Sequence, residues 1–209
     1  MEKFIDYFAA MGRSFLFWRS PPPLSDADAL SAFCFEQASY VAQTTLYGYL
    51  RTRAGLQHFN LFTDSKFTAL LKPARSRLVL VCLDDLAIYA AALVPQATKQ
   101  QRIALASDIF ANGPVHLADD LPFDELQQAR QDFEARAQLV DWAARAAPDK
   151  GVVAFRKSAD ALIELAPIVE QLKQYDDEIV TNSMHFKWHG VRALLRERLD
   201  GDALLASLT

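Results

Sequence analysis

Two histidines near the C-terminus have the spacing of a helical metal site. His185 and His189 are four residues apart, which places both imidazoles on one face of a helix. A zinc protease would carry a glutamate after the first histidine, where this chain has Phe186. Arg192 and Arg196 extend the same face with two fixed positive charges, which disfavour a bound cation. A solvated basic face, a surface for an anion or an acidic partner, and a metal site remain as interpretations; we assign no metal or cofactor and keep the four residues as partner-binding candidates.

Asp84 and Asp85 interrupt the most apolar stretch of the chain, which runs from Leu78 to Val94. A carboxylate inside a buried helix must pair with a cation or take up a proton, and Arg75, Arg77 or a more distant arginine could serve. No nucleophile or Ser/His/Asp spacing accompanies the pair, so we expect a structural role, assign no catalytic residue and keep Asp84 as a ligand-binding candidate. A β-strand ending in the two carboxylates is the alternative, but the chain offers too few partner strands for a parallel sheet.

Four hydrogen-bonding side chains share one face of the predicted second helix. They are Glu36, Tyr40, Gln43 and Tyr47, at positions i, i+4, i+7 and i+11. Such a face is suited to lining a ligand pocket between helices. The alternative is a boundary between core and solvent, where tyrosine rings are buried and their hydroxyls reach water.

The first residues of the chain form an aromatic, amphipathic pattern. Over residues 2–18 the larger apolar side chains fall on one arc of a helix, and its aromatic members include Phe4, Phe8, Phe15 and Trp18. Pro21, Pro22 and Pro23 follow as a stiff, extended spacer. We expect an anchor that docks in a partner's groove; packing on its own domain and peripheral contact with a membrane are the alternatives, although the polar face is poor in Lys and Arg.

The elements that position these residues are predicted from apolar periods of 3.6 residues between prolines. We expect helices at 2–18, 25–53, 57–71, 75–94, 97–111, 122–147, 156–174 and 176–199. The chain is therefore predicted to be all-α, a compact bundle of about seven or eight helices. The predicted organisation is an N-terminal amphipathic helix (1–20), a proline spacer (21–24) and one helical domain (25–209).

Composition limits the function classes. A net charge of -4 argues against a general nucleic-acid binder, which needs a basic face. No uninterrupted apolar run reaches the roughly 20 residues of a membrane span, and the N-terminus does not resemble a secretory signal, so we expect a cytoplasmic protein. The sequence favours a non-enzymatic interaction protein, an adaptor or accessory subunit that contacts a protein partner or further copies of itself. A helical enzyme or a small-molecule or metal-binding protein is the alternative.

Overall fold

The computed structural model describes residues 21–147 and 154–208, and the regular structure in these ranges is helical. The helices are α1 (Ala27–Ala54), α2 (His58–Thr63), α3 (Ser65–Ala92), α4 (Lys99–His116), α5 (Phe123–Leu139), α6 (Trp142–Ala146), α7 (Arg156–Leu165), α8 (Glu170–Lys173), α9 (Asp177–Arg198) and α10 (Gly201–Ser207). A short 3-10 turn, Gly55–Gln57, joins α1 to α2. The all-α prediction is confirmed, whereas the predicted helix over 2–18 lies outside the described residues.

Helix α3 is the central element, because α1, α4 and α7 all pack against it. From Leu78 to Ala92 its residues are buried almost without interruption, so an apolar stretch that also suits a strand forms a helix enclosed by other helices. Helix α4 approaches it closely at Gly113, where an added Cβ would lie 2.8 Å from a methyl carbon of Leu83. That contact explains a glycine inside α4.

Several predicted helix boundaries are wrong: the helix predicted over 156–174 is divided into α7 and α8, and the boundaries near Pro73 and Leu139 fail for different reasons. We expected a break near Pro73, but α3 continues through it. The carbonyl of Ala69 loses its helical donor there, and Ala69 is exposed, so water can replace the bond. In the other case we expected one helix over 122–147, but α5 ends at Leu139. Val140 is extended, and the side chain of Asp141 accepts a hydrogen bond from the backbone nitrogen of Ala144 to begin α6.

Helices α1 and α9 run antiparallel and are joined along their lengths. At one end the carboxylate of Asp176 accepts hydrogen bonds from the Tyr49 hydroxyl at 2.7 Å and from Arg53 Nε at 2.6 Å. At the other end, the guanidinium of Arg198 lies 5.2 Å from the ring centre of Phe33. These contacts hold α9 against α1.

The proline spacer is tied to the end of α9. The backbone nitrogen of Leu24 donates to the carbonyl of Arg198 at 2.8 Å, and that of Asp200 donates to the Leu24 carbonyl at 3.1 Å. The Arg198 guanidinium also donates to the carbonyl of Pro22. Residues 21–23 are exposed, but their course is fixed by these bonds.

None of the helices in the described ranges combines the length and apolar character that a membrane span needs.

Candidate functional site

Asp84 and Asp85 are buried on α3 and share one arginine. Arg136 of α5 places one terminal nitrogen 2.5 Å from Oδ1 of Asp84 and the other 2.7 Å from Oδ1 of Asp85. Lys157 of α7 forms a second ion pair with Asp84. The two carboxylates are therefore balanced by two cationic side chains, as buried carboxylates require. Arg75 and Arg77, which we considered as partners, pair with Asp120 and Glu125 instead.

Asp85 has a further role at the start of α7. Its Oδ2 accepts a hydrogen bond from the backbone nitrogen of Ser158 at 2.8 Å, and α7 has no side-chain cap from its own N-cap residue, Phe155. The Ser158 hydroxyl accepts from Trp188 Nε1 at 3.0 Å, which extends the network to α9. Burial raises the pKa of Asp85, while Arg136 opposes that rise. The network joins α3, α5, α7 and α9, and its polar atoms are occupied in doing so.

The predicted histidine and arginine face of α9 divides into two parts. Arg192 and Arg196 direct their Nε atoms to the hydroxyl of Tyr89, at 3.4 Å and 2.8 Å, and both guanidinium groups lie over its ring. His189 is exposed. His185 is half-buried, and its Nε2 has no hydrogen-bond partner in the part of the chain that the structure describes. The arginines thus hold a core tyrosine, and the histidines do not converge with them on one site.

The environment of His185 favours the neutral imidazole. Burial and the nearby positive charge of Arg156 lower its pKa, while Asp160 acts in the opposite direction. Within residues 21–147 and 154–208, no group of three or more His, Cys, Asp or Glu side chains is close enough to bind a metal ion.

The predicted polar face of α1 lies along the outer side of that helix. Glu36 is exposed, and Tyr40, Gln43 and Tyr47 are half-buried. Lys187 of α9 lies 3.4 Å from the Tyr40 hydroxyl and 5.4 Å from the centre of its ring. Of the four residues, Tyr47 lines a large cavity, and this cavity is a groove between helices.

The groove lies between α1, α2 and α3 and has a volume of about 1200 Å³. Its apolar wall is aromatic, and the ring centre of Phe62 lies 5.6 Å from that of Tyr47. Phe67, which does not line the groove, packs against Phe62 with its ring centre 6.0 Å away. Phe59, which also lines it, is 75% exposed, and the neighbouring Leu56 is 96% exposed. The remaining lining residues are Thr44, Gly48, Arg51, Thr52, His58, Thr63, Thr68, Leu71 and Arg75.

The charged side chains of this groove are cationic. Arg75 is partly neutralised, because its Nη2 donates to the carboxylate of Asp120 at 2.8 Å. Arg51 is exposed and forms no ion pair with another described residue. We define the "aromatic groove" as this cavity with Phe59 and Phe62 on its α2 wall and Arg51 at its α1 end. It combines water-exposed apolar surface with a cation at one end.

Sequence reasoning missed the aromatic groove. Residues 57–71 were predicted as one helix, and neither Phe59 nor Phe62 was singled out within it. The sequence did contain a signal, because a glycine at position 55 can end a helix and an aspartate at position 64 can begin one. In the structure Gly55 ends α1 with a φ of 53° and Asp64 caps α3, which isolates a short helix that carries two aromatic residues. Compared with protein-family models, with curated proteins and with solved structures, the chain has no significant match.

Proposed function

We propose that this chain is a non-enzymatic helical interaction protein, an adaptor or accessory subunit of the cytoplasm, and that the aromatic groove is its contact surface. The observation that carries the proposal is the exposure of Phe59 beside an open cavity of about 1200 Å³. Leaving a large aromatic ring in water forgoes about 1.5–3 kcal/mol of burial free energy, which a partner recovers on docking.

The occupant of the groove is an amphipathic helix of a protein partner. A groove between helices accepts the apolar side of such a helix, with large side chains spaced three or four residues apart. Phe59, Phe62 and Tyr47 provide the aromatic contacts that such anchors need. Because Arg51, at the end of the groove, forms no ion pair with another described residue, the partner helix carries an acidic residue at that end.

Two other observations support an interaction protein over the alternative of an enzyme. The buried carboxylates that catalysis would use are already engaged by Arg136, Lys157 and Ser158. On the basic face expected on α9, the two arginines are engaged by the hydroxyl and ring of Tyr89. The proposal excludes nucleic acid as a partner on the net charge of -4.

The experiment is site-specific photocrosslinking in the cell that makes the protein. A photoreactive residue replaces Phe59 in one variant and Phe186 in the other, since Phe186 on α9 is 78% exposed and lies away from the groove. We expect a discrete crosslinked protein from position 59 that position 186 does not give. The same products from both positions, or none from position 59, would reject the proposal.

A further inference from the structure

We propose that residues 2–18 of the same chain occupy the aromatic groove, lying along the outer face of α1 until a partner helix displaces them. This inference rests on the proposed function, because it names the resident occupant of the same groove. The groove thereby becomes an autoinhibited contact surface rather than a permanently open one.

The course of the proline spacer leads toward the groove. Pro22 and Pro23 line a cavity of about 470 Å³ together with residues of the first turns of α1, which are Ala29, Ala32, Phe33 and Glu36. Their positions are held by the bonds from Arg198 and Leu24 described above. The spacer therefore enters over a defined face of α1.

That face is the one that ends at the groove. Steps of three or four residues from Ala29 lead through Glu36, Tyr40 and Tyr47 to Arg51, which places them in one row along the helix. Glu36 lines the cavity at the spacer, while Tyr47 and Arg51 line the aromatic groove. Tyr40 and Gln43, both half-buried, form the track between the two cavities, with Lys187 of α9 over the Tyr40 ring. The polar face predicted from the sequence thereby has a role as a bed for a docked segment.

The length of the preceding chain fits this track. From Phe33 to Gly48 the axis of α1 advances about 22 Å at 1.5 Å per residue. Residues 4–18 as a helix span about 21 Å, and residues 19–20 in extended form add about 7 Å. The 20 residues before Pro21 are thus long enough to bring Phe4 and Phe8 to the groove.

The chemistry of the segment matches that of its bed. Phe4 and Phe8 lie on the apolar arc and suit the ring-lined wall formed by Tyr47 and Phe62. Glu2 and Asp6 lie at the end of the segment that reaches Arg51. A short tether gives an effective concentration in the millimolar range, which favours the segment of the same chain over that of a second copy.

The test uses the full-length chain with benzoylphenylalanine in place of Phe8. After irradiation of a dilute solution, we expect a product of monomer mass whose crosslinks map to Tyr47, Phe59 or Phe62. The helical pattern over residues 2–18 predicts Phe17 outside the apolar arc, so it provides the matched control position, and a probe there should give no groove crosslink. A Phe59→Asp change should abolish the product from position 8, whereas Phe186→Asp should leave it unchanged.

Two results would overturn the inference. A groove crosslink found only in a product of dimer mass would assign the groove to a second copy. The absence of any groove crosslink from position 8, in a protein whose position 59 still captures a partner, would reject the resident segment and leave the proposed function intact. Conversely, a groove crosslink from position 8 without any partner from position 59 would support the inference while the proposed function fails.

Discussion

The carboxylate of Asp85 and the backbone nitrogen of Ser158 are joined by a 2.8 Å hydrogen bond across 73 residues of sequence. Through it a side chain of the central helix caps α7, a helix whose N-cap residue supplies no side-chain cap. The same carboxylate holds Arg136 at 2.7 Å. One buried residue therefore fixes the positions of two surrounding helices.

Replacing Asp85 should be costly for this reason. Asp85→Ala leaves Arg136 with one buried partner fewer and removes the cap of α7, so we expect a loss of about 3–5 kcal/mol in the free energy of unfolding. Asp84→Ala should cost less, because its other partner, Lys157, is 44% exposed and can be hydrated. Urea denaturation monitored by circular dichroism measures both.

Asp85→Asn provides the control, since its amide oxygen can still accept from Ser158. It should fall between the parent and Asp85→Ala in stability. If both alanine variants unfold at the same urea concentration as the parent, the carboxylates do not stabilise the core and this account of the central helix is wrong.

Asp120 gives a prediction about pH. Burial alone would raise the pKa of its carboxyl, but donors on Lys72, Ser76 and Arg75 lower it below the ordinary value of 3.8. A group with a lowered folded-state pKa contributes stability that is present above the ordinary value and is lost as the pH falls through the folded-state pKa. The stability gap between the parent and Asp120→Asn should therefore be constant near neutral pH and shrink below about pH 4.

Urea titrations of the two proteins from about pH 7 to about pH 2 measure this gap. A gap that keeps its size at every pH would show that the carboxylate charge of Asp120 adds nothing to folding.

The hydroxyl of Tyr89 gives a third prediction. It accepts from Arg196 Nε at 2.8 Å within a fully buried residue, so Tyr89→Phe removes an acceptor for a charged group and keeps the ring. We expect a loss of about 1.5 kcal/mol in the free energy of unfolding. Tyr175→Phe is the matched control, because Tyr175 is 93% exposed and should change stability by less than about 0.5 kcal/mol. If the two variants are equally stable, the Tyr89 hydroxyl does not contribute to the free energy of unfolding.

The helical class was predictable from the sequence because apolar periodicity is a local property, as the buried stripe of Val180, Met184 and Trp188 on α9 illustrates. The ends of helices were less predictable, since Pro73 stays inside α3 where solvent can satisfy the orphaned carbonyl. At Val140 the cap from Asp141 ends a pattern that periodicity alone would continue.

The site depended on tertiary geometry that spacing does not contain. Nothing in the sequence marks Arg136 as the arginine that bridges Asp84 and Asp85, because that choice follows from how α5 packs on α3. Arg192 and Arg196 were placed opposite the apolar stripe of α9, yet long side chains reach inward to Tyr89. The aromatic groove needs three helices in a fixed arrangement, and only its isolated short helix leaves a trace in the sequence.

The most direct measurement of the central claim is the affinity of the partner captured at position 59, purified and titrated calorimetrically against three full-length proteins. These are the parent, Phe59→Asp in the aromatic groove, and Phe186→Asp on the exposed face of α9. The account predicts that Phe59→Asp weakens binding about 30-fold or more, as expected for a charge placed at an aromatic anchor, and that Phe186→Asp binds like the parent. Equal affinities for the parent and Phe59→Asp, or a loss confined to Phe186→Asp, would contradict the assignment of the groove as the contact surface.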